Sequence, residues 1–179
     1  EDEDGKMMAK VMSAQNDPDK IASSQAKPKE ADGPIADGSK GMAFIKTRPN
    51  VKLEGLLPAY AQNLKAMAQE YGEMTGDSLL VKSGVRTKEQ QRALHNADPT
   101  AAKPGRSLHE FGLALDIDGS DLDKADELGL MRKYGFTRPV GGEDWHMEPA
   151  GIQGNIKKAK EDQNFAEEAT GASLYKGGG

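Results

Sequence analysis

The chain has 179 residues, no cysteine and only three histidines, His95, His109 and His146. Without thiols there is no disulfide scaffold, no cysteine nucleophile and no cysteine-based zinc site, so a transition metal would have to be held by His, Asp and Glu. Two stretches supply such residues: "SLHEFGLALDID" at 107–118 and "GGEDWHMEP" at 141–149. His109 and Asp116 from the first and His146 from the second make three protein ligands. That number leaves a fourth position open for water, as a catalytic zinc requires. A hydrolytic metal site also needs a carboxylate outside the coordination shell to take the proton of that water. Glu143, three residues before His146 and just after Gly141-Gly142, suits that task. Glu148 shares a strand face with His146 and is placed to orient its imidazole.

For these side chains to meet, the backbone must cooperate. In a regular strand, positions seven apart face opposite sides. The segment 107–118 reads as a strand, so His109 and Asp116 can share an ion only if it breaks between them, and Gly112 is where it can bend or bulge. Beyond the break, Leu113 and Leu115 point to the core, while Ala114 and Asp116 point to the other face, where Ala114 leaves the ion approachable. In the second stretch His146 and Glu148 share one face, with Trp145 and Met147 on the other. The residues alone also admit plainer readings: His109 as a hydrogen-bonded core histidine, His146 as packing beside Trp145, Asp118 as the start of a turn, and His95 as a surface or capping residue.

The surrounding elements follow from periodicity. Leu57, Tyr60, Leu64, Met67, Tyr71 and Met74 form one stripe of an amphipathic helix, with Pro58 in its first turn and Gly72 or Gly76 near its end. Leu79, Leu80 and Val81 read as a short buried strand. Thr87 and Gln90 form a capping box that opens a helix to about Asn96. A loop rich in Pro and Gly follows. Residues 121–136 return to helix with Leu122, Ala125, Leu128 and Met131 on one side and Gly135 as a left-handed stop. Short strands close the domain. The pattern is α+β: a small antiparallel-rich sheet with helices packed on one face. Three segments are expected: an acidic tail or linker at 1–41, a folded domain at 42–154, and a surface helix or flexible tail at 155–179.

The net charge of −5 argues against nucleic acid as the main partner. No apolar run approaches the ~18–20 residues that span a bilayer. No signal-peptide pattern opens the chain, and its first residue is Glu, which suggests a processed or excised piece.

"SLHEFGLALD" fits Ser-x-His-x-x-Gly-x-Ala-x-Asp, "EDWH" fits Glu-x-x-His with its Trp in place, and "SGVRT" lies upstream. Together, over roughly residues 55–150, they resemble the zinc D-alanyl-D-alanine metallopeptidases. That group includes the vancomycin-resistance D,D-dipeptidases and D,D-carboxypeptidases and phage L-alanyl-D-glutamate endolysins, and it shares its fold with the hedgehog domain. The resemblance implies one zinc ion per chain held by His109, Asp116 and His146, with Glu143 as catalytic base. It implies an active-site role for Arg86, on an oxyanion or a substrate carboxylate, and contact of Ser107 with substrate, although a simple cap hydroxyl is the alternative for Ser107. The implied substrate is a peptidoglycan stem peptide or cross-link, cut next to D-alanine in the periplasm or cell wall. The phage L-alanyl-D-glutamate enzymes often carry Asp where this chain has Glu143, which brings it nearer the D,D-carboxypeptidases. The "WHMEP" ending is similar to phage-borne hydrolases, which implies delivery by phage lysis or injection machinery, or membership of a larger phage assembly through the tails. A catalytically silent, hedgehog-like zinc-binding module is the competing expectation.

Overall fold

The computed structural model describes residues 34–170. The expectations for residues 1–33 and 171–179 lie outside the described residues. A mixed five-stranded sheet organises the fold: β1 (Ile45–Thr47), β2 (Leu79–Ser83), β3 (Leu115–Ile117), β4 (Phe136–Thr137) and β5 (His146–Pro149), in the order β1-β2-β3-β5-β4. Only β1 and β2 are parallel; the other pairings are antiparallel. Six helices accompany the sheet: α1 (Pro58–Thr75), α2 (Lys88–Ala97), α3 (Gly119–Glu127), α4 (Leu130–Lys133), α5 (Ile156–Glu161) and α6 (Gln163–Ala169). The architecture is the expected α+β, rich in antiparallel pairs. No described helix is long and apolar enough to cross a membrane.

Helix α1 forms where its stripe predicts. Pro58 starts it, where a missing N–H costs nothing, and Gly76 ends it in the left-handed region at φ 78°, donating its N–H to Gly72 O. Tyr60, Leu64, Met67 and Tyr71 are buried, but Met74, in the last turn, is exposed. The helix meets the apolar face of the sheet, where Leu79, Val81, Leu115, Ile117 and Met147 have no exposed surface. Tyr60 pins the contact: its ring stands edge-on to Phe136 at 5.2 Å and its hydroxyl donates to Met147 O at 2.8 Å. On its flank, Lys133 of α4 makes a part-buried ion pair with Glu70 at 2.8 Å.

Three local expectations are corrected. The helix expected over 121–136 is two helices, because Gly129 takes φ 78° and restarts the chain as α4; the same break buries Leu130. Ile35 and Ala36, expected in the tail, pack on the core, and Ala36 N–H donates to the Tyr134 hydroxyl at 2.8 Å. Residues 155–170 form two short helices rather than a single surface one, and Ala159 and Ala166 sit in the core cluster.

Candidate metal centre

The polar face of the sheet lies opposite this core. Asp116 of β3 pairs in register with His146 of β5, so both side chains stand side by side on that face. On the other flank of β3, the pairing shifts from Val81↔Ile117 to Ser83↔Asp116. One extra residue in β2 is thus accommodated by a bulge, which brings Ser83 opposite Asp116. Ser83, Asp116 and His146 form one row across three adjacent strands.

His109 reaches the row by another route. The stretch expected to be strand is a 3-10 turn, Leu108–Phe111, capped at its start by Ser107 and Glu110 and ended by Gly112 at φ 71°. A side chain is excluded at 112 twice over, since its Cβ would also lie 2.3 Å from Gly55 O. The backbone break at Gly112 is therefore present, but upstream of it the chain is helical. Ser107-x-x-Glu110 has the spacing of a capping box, the signal already read at Thr87 and Gln90, and it could have revealed the turn. Ala114, expected beside the ion, is fully buried and belongs to the core cluster with the leucines. Trp145, expected behind the strand, is 39% exposed.

The hydrogen bonds fix which nitrogens face inward. His109 Nδ1 lies 2.9 Å from Gly84 O, an acceptor only, so Nδ1 carries the hydrogen and Nε2 presents a lone pair. Gly84 can approach because it has no side chain; a Cβ there would fall 2.1 Å from Lys52 O. His146 Nε2 donates to Glu148 Oε2 at 2.7 Å, which turns Nδ1 inward. Both inward nitrogens converge on one atom, Asp116 Oδ1, at 3.2 Å from His109 and 3.3 Å from His146. One ligand atom from each of the three residues lies within 4.8 Å of the others, a group able to hold a metal ion. A tetrahedral ion with bonds of about 2.0–2.1 Å has ligand–ligand edges of about 3.3–3.4 Å. The two measured separations fit that size, and the outer nitrogens are each held in the manner usual for metal-ligating histidines.

Electrostatics point the same way. Burial pushes the Asp116 carboxyl up, but its interactions with His109 and His146 outweigh it and hold the group well below the usual carboxylate range. Burial pulls His146 down, yet its bonds to Asp116 and Glu148 prevail and raise it to about 9. Two nitrogens turned toward one anionic oxygen ask for a cation between them, and in the metal-free chain the His146 proton serves.

Arg86 stands at the rim. Its Nη2 donates to Ser83 Oγ at 2.8 Å and lies 3.4 Å from Asp116 Oδ2, and its Nη1 donates to Gln91 Oε1 at 3.0 Å. Burial lowers the Arg86 pKa, against the pull of Asp116, Glu110 and Glu143. Gln91 is a site residue that the sequence reading missed. It is buried on α2 and tied through Nε2 to Ala102 O at 2.7 Å; a glutamine on a capped helix carries no sequence signal for this role. Ser107 Oγ accepts from His109 N–H at 3.2 Å, so it positions the turn that carries His109. Glu143 is half-buried on the loop before β5, and its carboxylate has no hydrogen bond or ion pair among the described residues. His95 is held apart, with Nδ1 2.7 Å from Ala101 O. Two open grooves adjoin these residues. One of about 860 Å³ is lined in part by Glu143, Asp144 and Arg138, and one of about 340 Å³ by Ser83, Gly84 and Arg86.

No family model and no curated protein matches the chain. Among solved structures it is similar to the LdcB LD-carboxypeptidase, with 21% identity and a TM-score of 0.48 over 75% of this chain and 83% of that one. It is also similar to DacB from Streptococcus pneumoniae, with 26% identity and a TM-score of 0.41 over 66% and 78%. A third is a mutant of the vancomycin-resistance D,D-pentapeptidase VanY in complex with Zn(II), at 22% identity and a TM-score of 0.39 over 77% and 99%.

Proposed function

We propose that the chain is a zinc-dependent peptidase that hydrolyses an amide bond in the peptide part of peptidoglycan, next to D-alanine. The observation that carries this reading is the convergence of two imidazole nitrogens on one carboxylate oxygen, with the Arg86 guanidinium 3.4 Å from the same carboxylate. His109, Asp116 and His146 would hold the ion. Bound there, zinc would supply a Lewis acid for a carbonyl oxygen and bring the pKa of a water down to roughly 7.

The remaining steps belong to the protein. Glu143 takes a proton from the attacking water and returns it to the leaving amine, a role suited to a carboxylate with no hydrogen bond or ion pair among the described residues. Arg86 uses three donor contacts to hold itself in place, on Gln91, Ser83 and Asp116. Of its five N–H groups, others remain for an oxygen gaining negative charge or for a substrate carboxylate. Ser107 accepts from the backbone but keeps its own hydrogen, which a substrate oxygen can receive. The grooves beside Glu143 and beside Arg86 give substrate room on two sides. Action at the cell wall, with delivery by phage lysis or injection machinery, belongs to the same reading and is supported by the similarity of "WHMEP" to phage-borne hydrolases.

The test has two parts. Elemental analysis of the purified chain is expected to find one zinc per chain. Iron in its place would change the metal, because two histidines and a carboxylate also suit iron. Digestion of purified sacculi, read by mass spectrometry, is expected to give released D-alanine or new amino termini. Glu143→Ala is expected to keep its zinc and lose activity by about 10²–10⁴-fold. An unchanged effect on sacculi would turn the reading to a zinc-binding module without catalysis.

A further inference from the structure

The loop that carries Glu143 is tied to β3 at its far end, where Ile117 N–H donates to Trp145 O at 2.8 Å. Residues 138–145 join β4 to β5, and Val140 and Trp145 are exposed. Nothing lies within 4 Å of where a Cβ would stand on Gly141 or Gly142. The local turn bonds, Glu143 N–H to Val140 O and His146 N–H to Glu143 O, are 3.1 and 3.3 Å long and tie the loop only to itself. A general base that moves by an ångström can lose on the order of 10²-fold in rate. Something must fix it.

We propose that Arg138 and Asp144 clamp this loop to helix α3, making them positioning residues for Glu143. The inference rests on the reading of Glu143 as the base. Arg138 Nη1 donates at 3.0 Å to Asp144 O, the carbonyl of the residue after Glu143. The same Nη1 donates to Asp123 Oδ1 at 2.8 Å, and Nη2 donates to Asp126 Oδ2 at 3.2 Å. Asp123 and Asp126 are three apart on α3 and so share a face, which a planar guanidinium can span while also reaching the loop. The Asp144 side chain also lies against the start of this helix. The Asp144 carboxylate occupies the space beside Gly119, so close that a Cβ built there would lie 2.7 Å from Oδ2. Gly119 is the first residue of α3, whose cap, Asp118, comes two residues after Asp116. A short rigid path therefore runs from the metal-ligand position Asp116 through α3 to Asp123, Asp126 and Arg138, and back to the loop. It fixes the distance between the base and the ion it must serve.

The aspartate side chains are 59% and 57% exposed while that of Arg138 is 17% exposed. Exposed pairs of this kind contribute little to stability. The clamp is placed to position the loop, and the test separates the two roles.

Trp145 is the chain's only tryptophan, so its fluorescence reports on this loop alone. Arg138→Ala in the full chain is expected to keep wild-type zinc content. Quenching of Trp145 by acrylamide, which is neutral and indifferent to the lost charge, should rise at least twofold. On pentapeptide muropeptides kcat should fall about 10–100-fold with KM within twofold, and Arg138→Lys should fall between. Gly119→Ala, which displaces the Asp144 carboxylate without removing a charge, should reproduce the quenching change. Zinc-loaded Arg138→Ala with quenching and kcat within twofold of wild type overturns the clamp. If Arg138→Ala does not fold, Asp123→Asn with Asp126→Asn frees the guanidinium from α3. An unchanged Trp145 in that double variant overturns the clamp equally. A wild-type chain that binds zinc but cleaves no muropeptide sinks the proposed function alone, because the quenching comparison still decides whether the loop is clamped.

Discussion

Strands β3 and β5 present Leu115, Ile117 and Met147 to one side of the sheet and Asp116, His146 and Glu148 to the other. The apolar side is held by area. Its residues have no exposed surface, many neighbours share the load, and any similar side chain of the right volume would serve. The polar side is held by direction. His109 is fixed by one carbonyl, His146 by one carboxylate and Arg86 by two side chains and the carboxylate it faces, and none of these contacts has a substitute among the described residues. Removing one residue should therefore have opposite consequences on the two sides: lost stability with function kept, or lost function with the fold kept.

The sharpest way to break that contrast is Asp116→Ala. Both inward nitrogens meet at its Oδ1, so its loss removes one proposed metal ligand and the point on which the other two converge. Zinc should disappear from the purified protein and sacculus cleavage should fall to background. Added zinc should raise the midpoint of thermal unfolding for the wild type but no longer for the variant, since a ligand stabilises only the state that binds it. A variant that still takes up stoichiometric zinc would place the metal elsewhere.

One residue earlier in the chain, Leu115→Ala makes the opposite cut. Leu115 is fully buried, and shortening it should cost about 2–5 kcal/mol of unfolding free energy, read by denaturant titration. Zinc content and cleavage by the folded fraction should persist. Loss of zinc without loss of stability would mean that the two faces of β3 are not separable.

The two faces were also unequally legible. Hydrophobic spacing is set by the period of the element, so the stripe from Tyr60 to Tyr71 and the strand at Leu79–Val81 could be read directly from the residues. Periodicity failed where few residues decide. The apolar character of Leu108, Phe111 and Leu113 suggested a strand through His109, while the capping box of Ser107 and Glu110 sets a turn. Gly129 divides a helix whose apolar spacing runs on past it. At the site, residue type marked His109, Asp116, His146, Glu143 and Glu148. It was silent on Gln91, and on the carbonyl of Gly84, because a backbone acceptor has no letter in the sequence. Support for a site comes largely from such groups, which a motif cannot list.

Glu148→Gln tests the finest difference between the faces, that between a ligand and the group that orients it. Glu148 is buried and accepts from His146 Nε2. A glutamine keeps the shape and an acceptor oxygen but removes the charge, so zinc should bind about 10–100-fold more weakly without being lost. The pH dependence should move as well. Burial lowers the His146 pKa, but Asp116 and Glu148 together raise it to about 9 in the metal-free chain. A raised histidine pKa means that the proton stabilises the metal-free fold fully below the unfolded value of about 6.5 and that this contribution fades as pH rises through 9. Zinc competes with that proton, so wild-type uptake should release protons and tighten as pH rises across the same window. With the Glu148 charge gone, the histidine loses its proton at lower pH, and the window should shift downward. Zinc titrations at several pH values would show it; a window that stays in place would mean that Glu148 orients the ring without tuning it.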